Sequence, residues 1–449
     1  MRFIPNNERA RQEMLAEMGV SNIEALFASV PEAVRLGRPL ALPEGLPEQD
    51  QLERFAALAA ANAGTGITSF LGAGAYPHFS PLVTDSLIQR AEFLTGYTPY
   101  QPEVSQGTLQ AIFEFQTFMC LLTGMDVANA SVYDGASATA EAVLMADRLQ
   151  RDRHRVLLPA SLHPYYREVV ETYSHNLDLE LETAGLDDRS GRLDLERLDA
   201  ALGDDVICVV VQQPNFYGII EDLEAAAQRA HAHGALLVAT VGEALSLAVL
   251  KTPGACGVDI VCGEAQSFGV PLAYGGPYLG FMACRDTHKR QLPGRISGET
   301  VDLDGRRGFV LTLATREQHI RREKATSNIC TNQNLVMLSA LIYLTVMGRE
   351  GLKEVAGQNV SLMAYFLEGL ARLPGYGLRY GGPRFNEVAV RCPGPAAEVA
   401  AACRQRGIVP GLELDRFDRS LADTLLVAVT ETHHKRQVDA LLAALAEAA

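Results

Sequence analysis

The sequence predicts an α/β protein: a large domain built on a mainly parallel sheet, a smaller C-terminal α/β domain and an N-terminal helical arm. Three observations carry this. Between about residues 100 and 330, unbroken apolar runs alternate with amphipathic stretches of helical spacing. Strands apolar on both faces, joined by helical crossovers, need helices on both sides of a parallel sheet. Beyond residue 331 a shorter helix–strand–strand–helix series starts, whereas residues 1–65 carry helical spacing and no strand signal. The expected boundaries are 1–65 for the arm, 66–330 for the large domain and 331–449 for the small one.

In chain order, ERARQEMLAEMG (8–19) reads as a helix stopping at Gly19, and SNIEALFASVP (21–31) as one with Ser21 as N-cap and Pro31 as stop. GTLQAIFEFQTFMCLLTG (107–124) and ASATAEAVLMADRLQRD (136–152) read as helices, the first ending at Gly124. RVLLPA (155–160), DVICVVVQQ (205–213), ALLVATV (235–241), DIVCG (259–263) and LGFMAC (279–284) read as buried strands, with LEAAAQRAHAHG (223–234) a helix among them. TNQNLVMLSALIYLTVMG (331–348) is a long helix with Gly348 at its end. NEVAVRCP (386–393) and DTLLVAVT (423–430) are strands, and QVDALLAALAEAA (437–449) is a final helix.

Composition bounds the function. The 449 residues are 48% hydrophobic, with an ordinary 21% charged. A net charge of −15 argues against a general nucleic-acid or membrane-surface role. No apolar run reaches the length of a membrane span, and MRFIPNNERARQEM lacks the apolar core of a signal peptide. The eight cysteines form no CxxC pair and no metal cluster, which suits the reducing cytoplasm. Only five lysines exist, Lys251, Lys289, Lys324, Lys353 and Lys435, so any lysine-based chemistry can be tested by enumeration.

The candidate chemistry lies in five stretches. SVYDGASATAEAV (131–143) opens a helix with a small polar turn containing Gly135 and Ser137. Free N–H groups and the positive helix end suit a phosphate there, although plain capping by Asp134 or Ser137 explains the turn as well. No GK[ST] follows, and GAGAYP (72–77) breaks the GxGxxG pattern, so neither a P-loop nor a dinucleotide fingerprint is present. In LLPASLHPYYREV (157–169), His163 follows a strand; it could stack on a flat cofactor ring, cap a helix or fill a loop.

Large domain, connecting helix, small domain is a plan common among pyridoxal-phosphate enzymes of the aminotransferase-like fold (fold type I). In them a strand such as ALLVATV ends in an aspartate that holds the pyridine nitrogen protonated, and a lysine some twenty-odd residues later binds the cofactor as a Schiff base. Here Thr240 stands at the aspartate position and Gln266 or Ser267 at the lysine position, within GEAQSFGVPLAYGGPYLGF (263–281). Lys251 lies nearby in KTPGACG and reads as a surface lysine. YTPYQPEVSQGTLQ (97–110) is the densest polar stretch, and its prolines stiffen it; REKATSNICTNQNL (322–335) holds a hydroxyl-rich turn that suits a phosphate or, equally, caps the next helix.

Taken together, FLGAGAYPH, EFLTGYTPYQPEVSQGTLQA, YDGASATAEA, GEAQSFGVPLAYGGPYLGF and the run from LPGRISGETVDLDGRRGF to REKATSNICTNQ resemble the N-terminal half of glycine decarboxylase, the P protein of the glycine cleavage system. The chain length resembles the separate first subunit (subunit 1, alpha) found where the two halves are distinct chains. The resemblance implies that a second, lysine-bearing subunit (subunit 2, beta) holds pyridoxal phosphate covalently. It further implies that the pair decarboxylates glycine and passes the aminomethyl group to the lipoyl group of H protein. On this reading Gly135, Ser137, His163, Thr240, Gln266 and Ser267 line a degenerate pocket. Tyr97, Tyr100 and Glu103 then face the partner's substrate, and Thr326, Ser327 and Asn328 lie near its phosphate. Arg295, Arg306, Arg307, Arg316, Arg321 and Arg322 form a basic cluster suited to docking H protein, or a solvated face paired with its own acidic neighbours. Two other readings stay open: a scaffold or regulator of a homologous enzyme, and a self-sufficient pyridoxal-phosphate enzyme using Lys251.

Overall fold

The computed structural model describes residues 6–62, 64 and 66–448. The chain divides into two compact units, Met1–Thr65 and Gly66–Ala449. In the first, α1 (Glu8–Glu17) starts where the Asn7 side chain accepts from the Ala10 N–H at 3.0 Å. It ends before Gly19, which takes φ +67°. The expected Ser21 cap is not used: Asn22 caps the short 3-10 turn Ile23–Phe27 instead, accepting from the Ala25 N–H. α2 (Glu48–Ala60) buries none of its residues.

The second unit is built on a seven-stranded sheet. Its strands are β1 (Val127–Ala128), β2 (Arg155–Pro159), β3 (Glu180–Ala184), β4 (Val206–Gln212), β5 (Leu236–Val241), β6 (Ile260–Glu264) and β7 (Gly280–Cys284). The order is β1-β7-β6-β5-β4-β2-β3. The pairs from β3 to β6 are parallel, and β7 runs antiparallel to β6 and to β1. Every residue of β4 is buried. Cys208 and Val210 enter one core cluster and Val209 and Val211 the other, as alternation on a doubly covered strand requires. One face is covered by α3 (Gln106–Thr123), which ends at Gly124 in the left-handed conformation; the other carries α4 (Gly135–Leu149) and α5 (Pro164–Ser174). The crossover α6 (Leu223–Ala232) packs beside β5. A hairpin not expected from the sequence, β8 (Ile296–Val301) with β9 (Arg307–Thr312), follows the sheet.

The long helix α7 spans Asn334–Leu370 rather than ending at Gly348. Gly348 sits inside it at φ 57° and ψ −173°, so the residue read as a stop is a break after which the helix resumes. By length and composition this helix could cross a membrane, with mean hydropathy 1.4 over its most apolar window. Its apolar residues serve the core instead: Met337, Leu338, Ala340, Leu341, Tyr343 and Leu344 all join the larger cluster. Beyond it, β10 (Gly377–Leu378), β11 (Glu387–Arg391), β12 (Leu412–Glu413) and β13 (Thr424–Ala428) form an antiparallel sheet in the order β10-β11-β13-β12. α8 (Ala396–Arg404) and α9 (Lys435–Glu447) pack on it.

Candidate functional site

Ligands of open α/β sheets bind beyond the carboxyl ends of the parallel strands. The structure gathers Gly135, Ser137, His163, Thr240, Gln266 and Ser267 at those ends of β4, β5 and β6, all buried. Their polar groups are largely taken by the protein itself. The Thr240 hydroxyl lies 2.7 Å from that of Thr139 on α4, and the Thr139 hydroxyl donates to the Gly135 carbonyl at 2.8 Å. Gln266 accepts from the Tyr76 N–H at 2.9 Å and donates to the carbonyls of Tyr76 and Val270 at 3.0 and 2.7 Å. Asp134 caps α4 by accepting from the Ser137 N–H at 2.7 Å. His163 is the cap of α5: its Nδ1 accepts from the Tyr165 N–H, its Nε2 lies 2.9 Å from the Ala73 carbonyl, and its ring stacks on Tyr166. Burial lowers its pKa, so the ring is neutral near pH 7.

The turn that the sequence suggested for a phosphate is filled from within. The Gly135 N–H, at the start of α4, donates to Glu264 at 3.0 Å, and the same carboxylate accepts from the N–H groups of Gln266 and Leu279 at 3.0 and 2.7 Å. Burial pushes the Glu264 carboxyl up to about 7 against the pull of those donors. A side chain on Gly135 would stand 2.3 Å from the Tyr166 hydroxyl and 2.9 Å from the Glu264 Cβ, so nothing bulkier than glycine fits. Glu264 falls inside a stretch the sequence reading singled out, but nothing in its local pattern marks it as the anion that fills this turn.

A second, open assembly joins two segments far apart in sequence. Tyr97 and Tyr100 precede α3 and are 78% and 51% exposed, and Glu103 is exposed too. The Tyr97 hydroxyl lies 3.4 Å from that of Thr331, and the Tyr100 hydroxyl accepts from Arg295 at 3.3 Å. Arg295 also donates to Asn332 Oδ1 at 2.8 Å and to the Cys330 carbonyl at 2.7 Å, and its guanidinium lies over the Tyr100 ring. One buried arginine therefore clamps the tyrosine loop onto the 326–332 turn. In that turn Ser327 donates to Glu141 on α4 at 2.8 Å, Asn328 accepts from Gln318, and the Thr326 N–H donates to the Arg316 carbonyl. A cleft beside the turn is lined by Arg295, Glu317, Thr326 and Asn332. The turn does not cap α7, whose N-cap is Gln333 without a side-chain bond.

The expected basic cluster is not one surface. Arg295 and Arg316 are 4% and 8% exposed and bonded to backbone carbonyls. Arg306 and Arg307 sit on the hairpin facing Asp304 and Glu299 at 3.6 and 3.0 Å. The sequence shows arginines close in number, but burial and local pairing are properties of the fold. Lys251 is a surface residue at 2.6 Å from Glu224.

The family profile of the glycine cleavage system P-protein matches residues 1–445. The chain belongs to the glycine cleavage system P-protein family. Its P-protein relatives include the probable glycine dehydrogenase (decarboxylating) subunit 1 of Desulforamulus reducens, 49% identical over 99% of both chains, and that of Koribacter versatilis, 47% identical over the full length of both. Among solved structures, the glycine decarboxylase P-protein of the glycine cleavage system, in inhibitor-bound form, superposes with TM-score 0.90 at 44% identity over the whole of both chains. A glutamate decarboxylase from Lactobacillus brevis aligns with TM-score 0.68 at 12% identity over 94% of this chain and 97% of its own, a likeness of fold alone. The P-protein chain thus has the pyridoxal-phosphate type I architecture, as the sequence led one to expect.

Proposed function

We propose that this chain is the lysine-free subunit of a glycine-decarboxylating enzyme, which with a lysine-bearing subunit 2 decarboxylates glycine and delivers the aminomethyl group to the lipoyl group of H protein in the cytoplasm. The observation that carries the reading is Gln266. At the first of the two positions where a Schiff-base lysine is expected, Gln266 or Ser267, stands an amide locked to the backbone at Tyr76 and Val270. Pyridoxal phosphate does not fit this chain's own pocket. No lysine is present there, Thr240 offers a hydroxyl already engaged with Thr139, and the Glu264 carboxylate takes the donor a phosphate would need. The cofactor belongs, on this proposal, to the partner subunit.

This chain's contribution is positional. Tyr97 and Tyr100 are exposed hydroxyls on a proline-stiffened loop, held by Arg295; they orient the carboxylate of glycine across the interface, with Glu103 on the same loop. Thr326, Ser327 and Asn328 form the turn beside that loop and face the partner's phosphate; Ser327, bonded to Glu141, holds the turn in shape. Preorganised donors of this kind contribute through orientation and electrostatics. The test is reconstitution: each subunit alone and the two mixed, with glycine decarboxylation and borohydride-trapped cofactor measured. Activity only in the mixture, with the trapped cofactor on the partner, supports the proposal. Full activity of the partner alone makes this chain a scaffold, and cofactor trapped on Lys251 makes it self-sufficient; either result overturns it.

A further inference from the structure

A cavity of about 350 Å³ lies between the C-terminal end of α4, the loop after β7 and the segment after β9. Six cations line it: Arg148, Arg151, Arg290, Arg316, Arg321 and Lys324, with no acidic residue in the lining. None of the six has a carboxylate within ion-pair distance among the described residues, although their neighbours Lys289 and Arg295 do. Other cations of the chain do hold such partners. Arg229, Lys251, Lys289 and Lys435 each hold a carboxylate at 3.0, 2.6, 2.7 and 2.8 Å. Arg316 is fixed on the cavity floor by the carbonyls of Leu292, Gly294 and Leu313. Arg148 donates to the Gln291 carbonyl at 3.2 Å, but its Nε is buried with no acceptor. The carboxylates nearest in effect act only through space: Glu141 on Arg148, Asp147 on Arg148 and Arg151, and Glu317 on Arg316; Glu141 spends one oxygen on Ser327.

Clustered like charges with no counter-charge in contact repel, and a concave wall concentrates their field. A buried guanidinium N–H normally has an acceptor. Guanidinium forks match phosphate oxygens in pairs, and the volume is that of a small-ligand site rather than of a flat protein contact. We infer that this cavity is a binding site for a small phosphate-bearing polyanion, either inorganic or a phosphate ester; its wall shares Thr326 with the turn assigned above to the partner's cofactor phosphate. Arg151, Arg321 and Lys324 form its exposed rim and Arg148 its floor.

The test titrates the full chain, alone and assembled with the lysine-bearing subunit, with inorganic phosphate, pyrophosphate and glycerol phosphate by calorimetry at constant ionic strength. Saturable binding is expected, with the strongest of the three ligands separating an inorganic from an ester source. Replacing Arg151→Ser or Arg321→Ser should weaken it about tenfold each, the effect of losing one charge-assisted contact. Lys324→Ser gives a third rim variant should one of these lower the melting temperature. The proposal falls if no ligand saturates, if the double variant binds as well as the parent, or if the isolated chain binds and the assembled enzyme does not. That last result would make the cavity an interface for acidic groups of the partner.

Discussion

On the proposed reading two residues decide what this chain can do, and both act by occupying space. Gln266, at one of the two expected lysine positions, makes three backbone bonds, and Glu264, in the turn expected for an anion, accepts three more. Restoring the missing groups alone should therefore fail. In Thr240→Asp with Gln266→Lys, the Glu264 carboxylate still covers the Gly135 N–H, so borohydride reduction should trap no pyridoxal phosphate; trapped cofactor in that double variant would show that the turn is not sealed. The open assembly gives the opposite expectation. Tyr97→Phe or Tyr100→Phe removes one hydroxyl without disturbing the fold, and the assembled enzyme should lose on the order of 10²-fold in turnover with assembly unchanged. Thr326→Ala should instead loosen cofactor retention on the partner. Normal turnover in both tyrosine variants, measured beside a gel-filtration check of assembly, would remove these residues from the reaction.

The hairpin β8–β9 shows what elements add to residues. Arg307 pairs with Glu299 on the facing strand and lies over Phe309, so its charge is already spent locally. Reversing Arg306 and Arg307 to glutamate should leave the affinity for H protein and its salt dependence within about twofold, since exposed ion pairs carry only about 0–1 kcal/mol. A steep loss would restore the docking role that the sequence suggested. The same hairpin marks a limit of reading the chain. The buried strands β2, β4, β5, β6 and β7 were legible because each is a dense apolar run, and α3 because its apolar spacing ends in a glycine. ISGETV and RGFVLT have weak alternation and pair only with each other, so no local pattern announced them. Antiparallel β7 reads like its parallel neighbours because direction leaves no trace in hydropathy. The expectation of a lysine-free pocket rests on a substitution at a fixed offset, which a sequence can show. Its internal plug and the Arg295 clamp were not, because each joins residues more than a hundred positions apart.

At the scale of the whole second unit, one buried ion cluster ties the chain's ends to its sheet. His78, with a side chain 1% exposed, lies 3.0 Å from Glu243 after β5 and 2.8 Å from Glu431 after β13. Asn386 donates to Glu243 and Asn359 to Glu431, both at 2.9 Å, so α7 and β11 join the same network. Burial alone would lower the His78 pKa, but the two carboxylates outweigh it and raise it to about 10; they are themselves lowered by His78 against their own burial. The sign follows. A histidine raised from about 6.5 to about 10 stabilises the fold fully below pH 6.5 and loses that contribution as pH rises toward 10. Glu221, Glu264 and Glu387, raised by burial to about 7, also cost stability as pH rises, and their effect fades above pH 7. His78 therefore adds its own fall in unfolding free energy of about 1.4 kcal/mol per pH unit between about pH 7 and 8.5, which the difference between parent and variant isolates. His78→Gln should reduce the slope by that amount. It should also destabilise the protein at pH 7 by about 3–5 kcal/mol, because two buried carboxylates lose the cation between them. Denaturant unfolding of parent and variant across that pH range reads both quantities. A slope identical in parent and variant would mean that His78 is not the group whose proton holds the sheet, the 70–79 loop and the C-terminal strands together.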